Sequence, residues 1–388
     1  MSVVAASNAA APAASWTAVG AIGVGAFALV SSEFLPVGLL PQIARELHIS
    51  TGQAGLMVTV PGFAAAIAAP LTLAFAGRLD RRHVLCALLV LLALANLTVT
   101  LAGSFAMVLL GRTLLGVAIG GFWTVGGSLG PRLRPDAAAK ASSLIFAGVS
   151  VGTVAGVPLG TLLGNLLGWR MAFAGATTVA VAVLGLLLLA LPPVPAQGSR
   201  SLASVPALLA LPKIRIGMAA VLLMFAGQFA SYTYIAPYLL GHKGLAAALI
   251  GPILFGYGAA GLAGNLLGGW AAGRSVRGAL AATAALMGGA VLLLLVSGPG
   301  LPALAPVLLW GLAFGMLPIA MQSWLFSAAP DRLEAVSALF TFSGQAAIGI
   351  GALLGGLVAD RVGLTGAMGL GAAAGLLTLL LVALTGRR

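Results

Sequence analysis

Two charged residues stand inside long apolar stretches of this chain, and they are the first candidates for chemistry. Glu33 lies in one such stretch and Arg112 in another. A carboxylate in this setting is costly, and an arginine there usually faces a cavity and a partner. We predict that Glu33 loads and releases a proton as its access to water changes, and that Arg112 tunes it. The alternatives are a Glu33 neutralised by structural hydrogen bonds and an Arg112 that snorkels to the interface.

A stripe of glycines is the second candidate feature. Glycines recur every four residues from 148 to 164, and Pro158 interrupts the same stretch. Small residues at this spacing let another helix approach closely, and proline can bend a helix. We predict that Gly148, Gly152, Gly156, Pro158 and Gly160 govern how the two ends of the protein open. The alternative is ordinary packing of membrane helices.

Neutral polar and aromatic side chains inside the apolar stretches are candidate substrate contacts. Gln228 and Tyr232 are four residues apart, and Tyr257 and Asn265 are eight apart; we expect each pair to share a helix face. Such residues could line a mostly apolar cavity, although each is also suited to packing between helices. The predicted substrate-binding residues are Phe34, Trp123, Gln228, Tyr232, Tyr257, Asn265, Gln322 and Trp324; further polar residues in these stretches are Asn96, Asn165 and Gln345.

The elements that must position these residues are membrane spans. Of the 388 residues, 61% are hydrophobic and 7% are charged, whereas a soluble domain carries about 25% charged residues. This balance excludes an ordinary cytosolic enzyme, a disordered protein and a secreted domain. A helix needs roughly 20 apolar residues to cross the hydrocarbon core. We place twelve spans at 16–41, 52–75, 84–102, 106–130, 141–166, 171–191, 215–240, 249–272, 279–297, 303–326, 335–359 and 366–385.

The spans form two halves that repeat. A shift of 195 residues superimposes Gly116 on Gly311, and the pair Pro135-Asp136 on Pro330-Asp331. The same shift sets Glu33 against Gln228, so the charge exists in one half only. We therefore predict an all-α membrane protein with twelve transmembrane helices in two pseudo-symmetric halves. The predicted parts are a flexible N-terminal tail at 1–15, a half at 16–191, a cytoplasmic linker at 192–214 and a half at 215–388.

The net charge of +12 gives an orientation. With both termini in the cytoplasm, 14 of the 19 Lys and Arg residues fall in cytoplasmic segments and 4 in outer segments. Basic residues favour the cytoplasmic side of a membrane, so both termini are predicted to lie inside. Because these residues are divided among separate loops, they do not form a nucleic-acid surface.

The connection between the second and third spans carries its own motif. It contains Gly77, Asp80, Arg81 and Arg82. Glycine permits a tight turn, and Asp80 can accept hydrogen bonds from helix N-terminal amides or pair with a nearby arginine. We predict a conformational role for these four residues, with an ordinary basic loop as the alternative.

Signatures of catalysis and of metal binding do not occur in the sequence. The histidines lie in or near loops, and neither a zinc-protease HExxH pattern nor a phosphate-binding GxxxxGK[ST] pattern is found. Cys86 is the single cysteine and cannot form an intramolecular disulfide. We expect no catalytic residue, no metal and no cofactor. A channel or scaffold would explain neither the repeat nor the buried acid.

Together these features resemble the major facilitator superfamily, in particular its twelve-span drug and sugar efflux antiporters. The first span, from Ser31 to Pro41, looks like that of bacterial exporters of sugars, nucleosides and chloramphenicol. The resemblance covers essentially the whole chain and implies that Glu33 and Arg112 take part in proton coupling. The chain departs from the family where Gly77 stands three residues before Asp80 and where His83 replaces a later glycine.

The function predicted from these residues and this resemblance is secondary active transport by alternating access. We expect proton-coupled efflux of a small neutral or amphipathic solute, such as a sugar, nucleoside or drug. The partners would be the lipid bilayer, the small-molecule substrate and protons, with no nucleic acid. We place the protein as a monomer in a bacterial cytoplasmic (inner) membrane. The alternatives are a facilitator or importer of the same fold and, less favoured, a channel or an intramembrane enzyme.

Overall fold

Helices dominate the computed structural model, which describes residues 15–75, 79–127, 129–195 and 208–384. Within those residues, twelve helices are long and apolar enough to cross a membrane, which confirms the predicted fold class. We number them α1 (Trp16–Glu46), α2 (Thr51–Phe75), α3 (Arg81–Thr100), α4 (Phe105–Gly126), α5 (Ala138–Val151, then the π-helical turn Gly152–Gly156, then Val157–Leu167), α6 (Trp169–Ala190), α7 (Pro212–Tyr232), α8 (Ala247–Arg274), α9 (Val276–Val296), α10 (Leu304–Ala328), α11 (Leu333–Arg361) and α12 (Leu364–Leu384).

Some helix ends differ from the predicted spans. Helix α1 continues past Pro41 to Glu46, because a membrane helix tolerates a proline when neighbouring groups serve the freed carbonyl. Helix α7 begins inside the predicted linker because Pro212 suits a first helical turn, where no N–H donor is needed. It ends at Tyr232, and a separate short helix, Ile235–Gly241, follows. The predicted tail up to residue 14 and linker residues 196–207 lie outside the described residues.

The bundle has two ends, which we name by what they carry. The terminal side carries the start of α1, the end of α12 and the connection from α6 to α7. The far side carries the connections from α1 to α2, from α5 to α6 and from α11 to α12. Helix direction alternates along the chain, so every other connection falls on the same side.

Contacts between helices repeat with the sequence. Gly156 packs on Ser31, and Gly351 packs on Ala226; each residue of the second pair comes 195 residues after its counterpart. The pairs Gly160–Leu35 and Gly355–Ala230 show the same relation. The contact between α5 and α1 is therefore the counterpart of the contact between α11 and α7. The two halves share a packing plan as well as a sequence shift.

The glycine stripe of α5 lies against α1. A β-carbon on any of its five members would meet α1 atoms at positions spaced by four residues. The contacts are Gly148 with Gly23, Gly152 with Phe27, Gly156 with Ser31, Gly160 with Leu35 and Gly164 with Leu39. Glycine is required at Gly148, where a β-carbon would run into the Gly23 backbone, whereas at Gly160 and Gly164 it would meet the ends of leucine side chains. The stripe fixes α5 to the helix that carries Glu33.

The π-helical turn in α5 comes just before Pro158. Because proline has no N–H, Val154 loses its usual partner four residues along. A π-helical turn pairs a carbonyl with the fifth residue along and so lets the helix pass the missing donor. The irregular segment also touches the other half, since Gly258 of α8 packs on Val154.

The two halves meet chiefly through α2 with α11 and through α5 with α8. Val37, Ala54 and Val157 of the first half join the apolar core of the second. The closest approaches run from the far side to the middle of the helices: Gly52 lies against Asp360, and Gly62 lies against Gly349. In this structure the halves are thus joined on the far side.

Candidate functional site

Arg112 donates hydrogen bonds to backbone carbonyls of two helices, each of which lacks a backbone donor because it contains a proline. Its side chain is buried on α4 and donates from Nη1 to the Ser32 carbonyl at 2.7 Å and from Nε to the Met57 carbonyl at 2.5 Å. In a regular helix these carbonyls would accept from the residues four positions later, which are Pro36 and Pro61. Neither proline has an N–H to give. Arg112 thus supplies the donors that α1 and α2 lack.

The same guanidinium also reaches the helix position of Glu33. Nη2 of Arg112 donates to the backbone carbonyl of Glu33 at 2.6 Å. Ion pairs join Arg134 to Asp136 and Arg170 to Glu46, but none joins Arg112 to the Glu33 carboxyl. The positive charge of Arg112 acts on the carboxyl over a longer distance. Arg112 is neither a snorkelling residue nor a simple counter-ion.

The Glu33 carboxyl lies at the junction of the two halves. Glu33 is 4% exposed on α1. Its carboxyl lies near the side-chain amide of Gln345 on α11, which acts on it electrostatically. Next to it, Asn96 of α3 donates to the Ser32 hydroxyl at 2.9 Å, which ties a third helix to this part of α1. The buried acid therefore faces a neutral group of the opposite half.

A neutral hydrogen-bond network occupies the corresponding place in the second half. Gln228 of α7 donates to the Tyr257 hydroxyl at 2.7 Å and accepts from Trp310 Nε1 at 2.7 Å. All three side chains are fully buried. Both ends of the Gln228 amide are thus satisfied by aromatic partners on α8 and α10.

Aromatic rings extend this network towards Glu33. Tyr232 stacks on Tyr257 with ring centroids 4.7 Å apart, and both rings lie against Phe314. Phe229 contacts Phe314 and stacks on Phe34 of α1 at 5.4 Å. The rings therefore form a continuous path from the second half to the residue next to Glu33. We call Phe34, Phe229, Tyr232, Tyr257, Trp310 and Phe314 the aromatic cluster.

Four predicted substrate residues lie elsewhere. Trp123 packs between Phe122 and Phe146 inside the first half. Asn265 is exposed, because eight residues along a helix turn a side chain by roughly 80° and carry it off the face of Tyr257. Trp324 of α10 is buried against the start of α7. Its Nε1 donates to the Lys213 carbonyl at 3.1 Å. Gln322 is half-buried two turns beyond Phe314 on α10.

Sequence reasoning did not select Phe229, Trp310, Phe314 or Gln345 as site residues. Gln345 stood out only as one polar residue among several within the spans. The repeat offered a signal for Trp310, since the shift of 195 residues pairs it with Leu115, three residues from Arg112. A helix contact across the halves is needed to select Gln345, and no spacing within the chain gives that contact.

The halves are joined on the far side by one acid. Asp360 at the end of α11 accepts from the Ser50 hydroxyl at 2.5 Å and from the Gly52 N–H at 2.9 Å. These donors lie at the N-terminus of α2, so an acid of one half caps a helix of the other. Nearby, Asn165 of α5 donates to the Ala247 carbonyl of α8 at 3.4 Å.

On the terminal side, Asp80 caps α3 as its position in the loop predicted. Its Oδ1 accepts from the Arg82 N–H at 2.8 Å and from the Val194 N–H at 3.1 Å. Arg82 donates to the Leu188 carbonyl at 2.5 Å, and the Arg81 N–H donates to the Val194 carbonyl at 2.9 Å. These bonds attach the start of the linker to this loop. Gly77 lies outside the described residues.

No group of three or more His, Cys, Asp or Glu side chains that could hold a metal occurs among the residues described. The chemistry available at the junction is thus that of one carboxyl, one guanidinium, two amides and six aromatic rings. Such a set can exchange a proton, stack on a flat ring and form a few directed hydrogen bonds.

Comparison with known proteins places this geometry in context. Residues 22–352 match the family model described as Major Facilitator Superfamily. The purine ribonucleoside efflux pump NepI of Escherichia coli is 36% identical over 369 residues, which cover 95% of this chain and 93% of the pump; the Shigella flexneri protein of the same name gives the same values. The structure of the nucleoside transporter NupG is similar with a TM-score of 0.79 and 12% identity, covering 95% of this chain and 98% of that one. A structure of the peptide transporter POT gives a TM-score of 0.77 and 15% identity, covering 95% and 94%.

Proposed function

The chain belongs to the Major Facilitator Superfamily, and from that premise we propose that it exports a nucleoside or a similar small neutral solute in exchange for protons. It is a membrane transporter, and its described residues include twelve helices long and apolar enough to cross the membrane. The relative that is 36% identical over nearly the full length is named a purine ribonucleoside efflux pump, which supports nucleosides as the substrate class.

The site chemistry suits such a substrate. A nucleoside has a flat base that stacks on aromatic rings and several hydroxyl or amine groups that need hydrogen-bond partners. The aromatic cluster supplies the rings, while Gln228, Tyr257 and Gln345 supply polar groups. With Glu33 and Arg112 as the charged residues there, a neutral substrate is favoured over a multiply charged one.

The single observation that carries proton coupling is the position of Glu33. It is a buried acid at the junction of the halves, so a rocking motion would change its access to water from one side to the other. Protons moving inward through Glu33 would then drive substrate outward. The far-side contacts of Asp360 support a state in which the site communicates with the terminal side.

The orientation follows from the basic residues. We place both termini in the cytoplasm of a bacterial cell, with the protein acting as a monomer in the inner membrane. One chain supplies both halves of the site, so no second copy is required. A reporter fused to the C-terminus that is active only in the cytoplasm tests the orientation.

The decisive experiment is substrate-induced proton release from purified protein in weakly buffered detergent. We expect inosine, guanosine or adenosine to release protons from the wild-type protein and not from Glu33→Gln. A nucleoside that binds to the wild type without releasing protons would contradict antiport and favour a facilitator of the same fold.

A further inference from the structure

Gln345 is half-buried on α11 and differs from the fully buried Gln228 in its hydrogen bonds. The amide of Gln228 is satisfied at both ends, by Tyr257 and by Trp310. Gln345 lies beside the Glu33 carboxyl, while its own Oε1 is buried and has no hydrogen-bond partner among the described residues. A buried acceptor without a partner is unfavourable and rare in folded proteins. This acceptor at the junction of the halves is therefore available to a donor that enters at another stage of the cycle.

Two donors can serve this oxygen, and they exclude one another. An ionised carboxylate only accepts, so with Glu33 ionised the Gln345 NH₂ group faces the carboxyl and Oε1 is left for another donor. A protonated carboxyl has an O–H group to donate, and after the amide turns, Oε1 accepts from it. In that state the acceptor is no longer available to a substrate.

We propose that Gln345 makes proton and substrate binding mutually exclusive, because one amide oxygen accepts either from protonated Glu33 or from an N–H or O–H group of the substrate. This inference rests on the proposed function. Gln345 is a positioning residue for the proton and a specificity-determining contact for the substrate class, which must carry a hydrogen-bond donor. The O–H bond of the carboxyl is the only bond made or broken; water on one side supplies the proton and water on the other removes it.

The other groups around Glu33 do not offer this exchange. From α4, Arg112 acts on the carboxyl through its charge, while its described hydrogen bonds go to backbone carbonyls. Of the described side chains on α2, α5, α7 and α11, none that is charged acts on Glu33. The neutral amide is thus the directional partner that can distinguish the two protonation states.

The test measures the dissociation constant of inosine for purified protein between pH 5.5 and 8.5. For the wild type we expect affinity to fall by up to about tenfold per pH unit as Glu33 takes up its proton. Gln345→Met has nearly the same shape but can neither donate nor accept. We expect it to bind inosine with less than about a twofold change across the range. Gln53→Met makes the same change at an exposed far-side residue and should keep the wild-type profile.

The outcomes separate the two hypotheses. If the wild type binds no nucleoside, or binds it equally at every pH, the proposed function fails and this inference with it. If the wild type shows the pH dependence and Gln345→Met keeps it, this inference alone is overturned. Should Gln345→Met not fold, Gln345→Asn replaces it; its amide is one methylene shorter, and the same flat profile is expected.

Discussion

The two halves of the molecule share the same helix packing but carry different polar side chains at equivalent positions. At equivalent places, the first half has Glu33 and the second has Gln228. Around Glu33, Arg112 replaces the donors that Pro36 and Pro61 lack. Around Gln228, no proline occupies the equivalent positions: the shift of 195 residues pairs Pro36 with Ser231, Pro61 with Gly256 and Arg112 with Val307.

This difference shows that the proline residues and the arginine belong together. Where the helices have their full set of N–H donors, aromatic partners and an amide are sufficient. Where two donors are missing, a buried cation completes the backbone, and its charge lies near the acid. We therefore propose that the first half holds the proton and the second half holds the neutral ring of the substrate.

Removing Arg112 should have the largest effect. Arg112→Met leaves the buried Ser32 and Met57 carbonyls without a donor and removes a second bond to the Glu33 carbonyl, and each buried acceptor left unpaired costs about 1–3 kcal/mol. We expect a strongly lowered unfolding midpoint and no transport. Adding Pro36→Ala and Pro61→Ala to this variant returns two backbone donors and should recover about 1–2 kcal/mol of stability, without recovering transport. Scanning fluorimetry and vesicle transport measure the two effects.

The control for that series uses the other prolines of the same helices. Pro41→Ala and Pro70→Ala also restore donors in α1 and α2, but Arg112 does not bond the carbonyls they would serve. These changes should not rescue Arg112→Met. Equal rescue by both proline pairs would show that Arg112 does not compensate for Pro36 and Pro61.

Exchanging the acid between the halves should have the next largest effect. Glu33→Gln should abolish uphill transport driven by a proton gradient but preserve counterflow, because substrate exchange needs no proton. The double variant Glu33→Gln with Gln228→Glu has the same composition and should not regain driven transport. In the second half the acid would lie between Tyr257 and Trp310, without Arg112. Driven transport by the double variant would mean that the halves are interchangeable.

The sequence predicted the membrane fold, the repeat and the two charged residues, because span length, charge placement and the 195-residue shift are visible along the chain. It also predicted the close contact of the glycine stripe. It did not predict that Arg112 bonds backbone carbonyls, although Pro36 and Pro61 are visible in the sequence. It predicted that Trp123 and Asn265 line the same site as Tyr257. In the structure, Trp123 packs on Phe146 within the first half and Asn265 is exposed. Which side chains meet in the aromatic cluster depends on how each helix is rotated about its axis and on which helices pack together. Spacing along the chain does not determine either.

A smaller effect is expected where the halves are joined on the far side. Asp360→Asn weakens the cap that α11 places on α2 by about 0.5–1.5 kcal/mol, which corresponds to roughly a twofold to twelvefold gain in far-side opening. Spin labels at Arg45 and Val362, in a Cys86→Ala background, report this opening as a longer distance. Glu46→Gln is the matched control, since Glu46 contacts Trp169 and Arg170 within its own half. A distance change in the control and none in Asp360→Asn would refute the role of Asp360.

The smallest effect is expected at the repeated Pro-Asp pair, although the two halves share it most clearly. Asp136 is exposed in a 3₁₀ turn, and a hydrogen bond from Arg134 lowers the pKa of this carboxyl. A lowered pKa means that any stabilisation is present at neutral pH and fades as the pH falls through that lowered value. Because solvent screens the pair, Asp136→Asn should leave the unfolding midpoint within about 1 °C of the wild type at pH 7. The transport–pH profile of Asp136→Asn should also match that of the wild type. If the profile of Glu33→Gln differs from the wild type, the pH dependence then comes from the buried Glu33 and not from the exposed Asp136.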